Sequence, residues 1–197
     1  MHRLPLLRLI LTLIPLGSPL AGCAGSERAP DPRLEARRAL EQQAKAGPVL
    51  AVVQGNPFTI PDSQLASLVT QNMAEGVRGL GVRFTPDPER AAASDPRLVV
   101  VLNPLATADA STICATPGAS PTGAAGEGLE IAAVFCRGGE PLRLVRTRAP
   151  VASTNDRSFQ RLLWRTAREL FPDDYPERFG FDLIPGIDVG VGGSFGF

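Results

Sequence analysis

Two uninterrupted apolar runs, Val49-Leu50-Ala51-Val52-Val53 and Leu98-Val99-Val100-Val101-Leu102, constrain this chain more than any other feature. Each has strand length and is rich in β-branched residues. A strand that is apolar at every position must be covered on both faces, as the central strands of a layered sheet are. The rest of the chain therefore has to supply the cover, and helical periodicity appears where cover is needed. After Thr59-x-x-Asp62, which has the spacing of a capping box with Asp in place of Glu, the residues Leu65, Leu68, Val69, Met73, Val77 and Leu80 fall on one helical stripe. Gly79 and Gly81 are expected to end that helix, and Val82-Arg83-Phe84 to return as a strand. The stripe, Met73 included, reads as core.

A second amphipathic helix is expected after Ser153-Thr154-Asn155-Asp156, running to Phe171 and stopped by Pro172. Its buried stripe would be Phe159, Leu162, Leu163, Ala167, Leu170 and Phe171, with Arg157, Arg161, Arg165 and Arg168 largely on the opposite side. Leu129–Phe135 and Leu142–Val145 flank Cys136-Arg137-Gly138-Gly139-Glu140-Pro141, a hairpin signal with a glycine-bearing turn. Asp31-Pro32 offers a cap and a first-turn proline for a helix over 32–46, closed by Gly47-Pro48. Its apolar positions, Leu34 and Leu40 among alanines, are weakly patterned, so loose packing or a spacer role is expected. Residues 86–94 have room for a short helical turn. Residues 105–128 are rich in Ala, Thr, Ser, Gly and Pro without periodicity and read as a long loop.

These elements predict one α+β domain: a mixed sheet of about four to five strands with two packed helices, preceded by a signal peptide and a short helix. With 197 residues, 44% of them hydrophobic, the chain has globular composition and room for a single core. Twenty basic residues balance twenty acidic ones, so no global field directs the protein to nucleic acid. The basic residues are nineteen arginines and Lys45.

The N-terminus carries an address. His2, Arg3 and Arg8 give a polar, basic start to the apolar run Leu9–Leu16, whose eight residues at ~1.5 Å rise fall far short of a ~30 Å hydrocarbon core. This is the pattern of a signal peptide. It is followed by Leu20-Ala21-Gly22-Cys23, which resembles the lipobox of bacterial lipoproteins. The resemblance implies cleavage before Cys23, diacylation of its thiol and N-acylation of its amine, and so attachment to the membrane through acyl chains, which two or more chains make stable. Ala24 in place of Asp implies, by the same resemblance to Gram-negative lipoproteins, sorting to the outer membrane, facing the periplasm. The expected organisation is a signal peptide over 1–22, an anchor, tether and short helix over 23–47, a periplasmic α+β domain over 48–171 and a Gly-rich tail over 172–197.

Processing at Cys23 would remove the sole histidine, His2, and leave 18 basic against 20 acidic residues. A chain without histidine runs no Ser-His-Asp or Cys-His relay and builds no histidine-containing zinc site. Lys45 has no serine three residues before it, and no phosphate-binding G-x-x-x-x-G-K-[ST] string occurs. Catalytic residues, metal ligands and cofactors are therefore expected to be absent, although a carboxylate pair such as Glu127 and Glu130 would suffice for a hydrolase. In an oxidising compartment the two remaining cysteines, Cys114 and Cys136, are expected to pair and staple the long loop to the first hairpin strand.

The order of apolar strand 49–53, helix with Leu65 and Leu68, apolar strand 98–102, hairpin and closing helix with Phe159 and Leu162 resembles the periplasmic lipoproteins of the curli-secretion and penicillin-binding-protein-activator type. Their domain is similar to the N-terminal domain of the Tol–Pal translocation protein. The resemblance covers about residues 48–171, and implies a non-catalytic envelope accessory. At the C-terminus, Ile187, Val189, Val191, Phe195 and Phe197 alternate with Asp188, Gly190, Gly192, Ser194 and Gly196. This resembles the last strand of an outer-membrane barrel, but one strand cannot close a barrel, which leaves an edge-adding strand or a disordered end.

Two functional readings follow. The first is an outer-membrane-anchored binding or assembly accessory. Its partner would be an envelope protein or an anionic wall polymer, met through Arg161, Arg165 and Arg168 if that ridge is more than a solvated face. The second is a carboxylate-based cell-wall hydrolase or carbohydrate-binding lipoprotein. A purely structural lipoprotein is a third.

Overall fold

The computed structural model describes residues 31–119, 122–123 and 128–173. The signal peptide, Cys23, Glu127 and the alternating tail lie outside them. The element order is α1 (Pro32–Ala46), β1 (Val49–Gln54), α2 (Asp62–Gly76), β2 (Phe84–Thr85), β3 (Ala93–Leu102), α3 (Ala110–Ala115), β4 (Leu129–Arg137), β5 (Glu140–Ala149) and α4 (Arg157–Leu170). The five strands form one mixed sheet in the order β2-β1-β3-β4-β5. β1 runs parallel to β2 and β3, whereas β3, β4 and β5 are successively antiparallel. The protein is thus a small single-domain α+β fold, as its apolar runs and helical stripes predict.

The sheet separates two apolar layers of unequal size. On one face α1, α2 and α4 cover Val49, Ala51, Leu98, Val100, Leu102, Ile131, Ala133, Phe135 and Val145. On the other, Val99, Val101, Ala132, Val134 and Cys136 lie under α3, with Ala108, Ile113 and Cys114. Alternation along β3 and β4 sends neighbouring side chains into opposite layers, as strand geometry requires. The β4–β5 turn is Gly138-Gly139, both at positive φ (60° and 84°), so the glycines permit the tight two-residue hairpin loop.

Several elements differ from expectation, each for a visible reason. α1 is no loose spacer: Ala36, Ala39 and Leu40 are buried in the large layer, and its alanines allow the close approach that gave so weak a stripe. The Thr59/Asp62 capping box does not form. The N-cap is Pro61 without a side-chain bond, and the Asp62 carboxylate instead accepts from Asn56 Nδ2 at 2.7 Å. α2 ends at Gly76, three residues before Gly79. A Cβ on Gly76 would lie 2.7 Å from Ala167 Cβ and 2.9 Å from Trp164 Cα, so the glycine lets α2 and α4 touch backbone to side chain. Val77 then leaves in an extended conformation but stays buried. Residues 88–90 make a turn, without becoming helical. Within the expected long loop, residues 110–115 form α3, N-capped by Asp109.

Candidate functional site

The chemistry-bearing groups fall into three places. The first is the small face. Cys114 on α3 and Cys136 on β4 form a disulfide with Cα atoms 5.6 Å apart, so the staple from the loop segment to the first hairpin strand is present. Two arginines reinforce it: Arg97 Nη2 donates to the Cys114 carbonyl at 3.0 Å, and Arg146 Nη2 donates to the Ala108 carbonyl. Arg146 Nη1 also meets the Glu130 carboxylate at 3.1 Å. Glu130, one of the two candidate acids, is therefore an ion-pair partner that helps hold Arg146 over α3. Glu127, the other, lies outside the described residues, so the structure does not bring the pair together. The α3 N-terminus is closed by Asp109, which accepts from Thr112 N at 2.6 Å. That amide bond is the main reason the Asp109 carboxyl is held below the ordinary aspartate range.

The second place is the junction where the helices of the large face end. Arg37 of α1 is buried, yet its guanidinium is met from three directions. It donates to the Phe171 carbonyl at 3.1 Å and to the Arg78 carbonyl at 3.0 Å, and it pairs with Asp173 at 3.1 Å. One side chain thus satisfies carbonyls left over at the ends of α4 and of the α2 connection. Sequence reasoning missed this arginine, because nothing local distinguishes it from Arg38 beside it. Phe171 itself stacks on Phe84 of β2 with ring centroids 6.4 Å apart, and meets Phe135 edge-on at 5.1 Å.

The third place is the outer face of α4. The helix buries Phe159, Leu162, Leu163, Ala167 and Leu170 on one side, and Arg157, Arg161, Arg165 and Arg168 are all exposed on the other. Asp156 caps the helix by accepting from Ser158 N at 2.9 Å, and that bond, with help from the Arg161 charge, holds its carboxyl below the ordinary range. Arg165 Nη2 donates to the Arg148 carbonyl at the outer edge of β5 (2.9 Å), and its Nε lies 3.9 Å from Glu169. Between α4 and the end of β5 lies a cleft of about 350 Å³ lined by Ala149, Pro150, Ser158, Arg161, Leu162 and Arg165. Arg161 and Arg165 thus present planar, multi-donor groups beside an open apolar floor, which suits carboxylate or phosphate oxygens. Arg168 lies in the last turn, where the helix dipole favours a cation.

Among the described residues no three or more His, Cys, Asp or Glu side chains are grouped to hold a metal ion, and no helix is long and apolar enough to cross a membrane. Comparison of the chain with protein-family models, with curated proteins and with solved structures finds no match.

Proposed function

We propose that this chain is an outer-membrane-anchored periplasmic lipoprotein that acts as a non-catalytic binding or assembly accessory of the cell envelope, docking through the arginine face of α4. The observation that carries the docking surface is the division of α4 into a fully buried apolar stripe and four exposed arginines beside an open cleft. Two further features support the setting. The lipobox-like Leu20-Ala21-Gly22-Cys23 supplies the anchor, and a disulfide bridging the core suits an oxidising compartment. The partner class follows from the donors: an acidic envelope protein, or an anionic wall polymer.

The test is in-cell photo-cross-linking from position 160, between the arginines, comparing the parent with an Arg161→Glu/Arg168→Glu variant. A single reproducible protein adduct that the double variant loses, with its thermal midpoint unchanged, supports the accessory role. Adducts indifferent to charge reversal would sink it. Release of wall polymer by the pure protein, abolished by Glu127→Gln and by Glu130→Gln, would replace it with the hydrolase reading. Full membrane retention of Cys23→Ser with a processed N-terminus would remove the lipid anchor.

A further inference from the structure

The two edges of the sheet are built differently. At the β5 edge the exposed Arg146 and Arg148 add charge, and the Arg148 carbonyl already accepts from Arg165. Charge and an occupied carbonyl are the ordinary protections of an outer strand. The opposite edge is guarded over only part of its length: Asp62 and Asp87 stand beside it, but its outer strand is short. β2 pairs with β1 only at Val49 and Leu50, whereas β1 continues along β3 to Gln54. Past Leu50, the side of β1 away from β3 has no strand partner among the described residues. Val49 N donates to Arg83 O on the β2 side and the Leu50–Thr85 register gives the Ala51 amide the Thr85 carbonyl, so by the two-residue period the Val53 amide points the same way, with no strand opposite it among the described residues. Beside this stretch runs a groove of about 440 Å³, between Ala51–Val53 on one wall and Asp62, Ser63, Ala66 and Ser67 of α2 on the other, lined also by Pro86 and Asp87, which follow β2. The small α2 side chains leave space over the edge, while β1 offers Ala51 and Val53 on the core side and Val52 on the other.

We propose that this edge is the acceptor for a strand from the chain's own C-terminal segment, centred on Ile187–Val191. The described chain ends at the same side of the molecule: Phe171 stacks on Phe84 of β2, and Arg37 holds both the Phe171 carbonyl and Asp173. From there residues 174–186 can span up to ~43 Å at ~3.3 Å per residue. The groove lies only a few strand residues along β1 from Phe84. The segment has the matching pattern. Ile187, Val189 and Val191 on one side would enter the space above Ser63, Ala66 and Ser67, and Asp188 and Gly190 would face outward. The open stretch past Ala51 is shorter than the five-residue segment, so the centre of the segment around Val189 would pair along it and its ends would overhang. The added strand would close the open part of the edge by main-chain bonds, with side-chain pockets fixing its register.

Amide hydrogen exchange of the full chain, compared with a chain ending at Gly186, tests this directly. No described core residue lies beyond Phe171, so the truncation leaves the fold intact. The Val53 amide is expected to exchange at least tenfold faster after truncation, while Val100 in β3 is unchanged. Val189→Pro/Val191→Pro, which removes the donors, should reproduce the effect within the full-length chain. An equal Val53 rate in all three proteins would overturn the proposal. So would benzophenone cross-links from position 189 that land outside residues 51–53 and 62–67, or that appear only in a species of dimer mass. Cross-links to those residues at monomer mass are the expected result.

Discussion

The two faces of the sheet solve the same covering problem by different means. Among the described residues, twenty-five buried apolar side chains belong to the layer under α1, α2 and α4, and eight to the layer under α3. Three helices of fourteen or fifteen residues cover enough area for burial alone to fix them, at roughly 25 cal/mol per Å². α3 has six residues, less than two turns and about 9 Å long, and cannot bury enough to hold its place. There the fixing passes to a disulfide and to Arg97 and Arg146 donating to carbonyls of the segment. Where a cover is broad, patterning suffices; where it is small, covalent and charge-assisted bonds take over.

Adjacent residues of β4 offer the sharpest comparison, because Phe135 points into the large layer and Val134 into the small one, both fully buried. Phe135→Ala should cost about 3–5 kcal/mol, since it removes the ring that meets Phe171 edge-on and leaves a cavity in a rigid layer. Val134→Ala should cost about 2 kcal/mol. Urea unfolding of both variants measures the difference, and equal losses would erase the distinction between the faces. The next effect is that of the bridge. Cys114→Ser/Cys136→Ser opens a link across 22 residues and should lower stability by about 3 kcal/mol. Hydrogen exchange adds the local readout: amides of α3 should lose protection while those of α4 keep theirs relative to global unfolding. Parallel loss in both helices would mean that the bridge serves the whole fold.

The same contrast explains which parts of the structure can be read from the sequence. β1, β3, α4 and the hairpin are visible because each combines a local apolar pattern with a local signal, such as Asp156 before α4 or Gly138-Gly139 at the turn. α3 is not visible by periodicity, since six residues give no repeat to count, although Asp109 ahead of Ala110-Ser111-Thr112 was a usable capping signal. The burial of α1 escapes because alanine marks no face, and Arg37 escapes because its three acceptors come from residues 78, 171 and 173, far away in the chain. The candidate site divides in the same way. The arginine face of α4 follows from one helix and is where the stripe puts it. The fate of Glu130 depended on Arg146 across the hairpin, a pairing that only the register of β4 and β5 creates.

The smallest expected effect concerns the two aspartates that cap helices on opposite faces. Asp109 accepts from the Thr112 amide and Asp156 from the Ser158 amide, and both carboxyls are held below the ordinary value of 3.8. A group whose pKa is depressed in the folded state stabilises it above the ordinary pKa, and that contribution is lost as pH falls through the depressed value. Stability should therefore be level through neutral pH as far as these caps are concerned, and decline only below about pH 4. Both carboxylates face solvent, so the decline is slight and salt-sensitive. The faces should nevertheless respond differently. α4 stays anchored by Phe159, Leu162, Leu163 and Leu170 when its cap is protonated, whereas α3 has only Ile113 and the bridged Cys114 buried within it. Acid titration followed residue by residue should show the amides of 111–113 opening before those of 158–160, and Asp109→Asn should remove most of that early step. Simultaneous opening would show that α3, despite its length, is as firmly held as the helices of the large face.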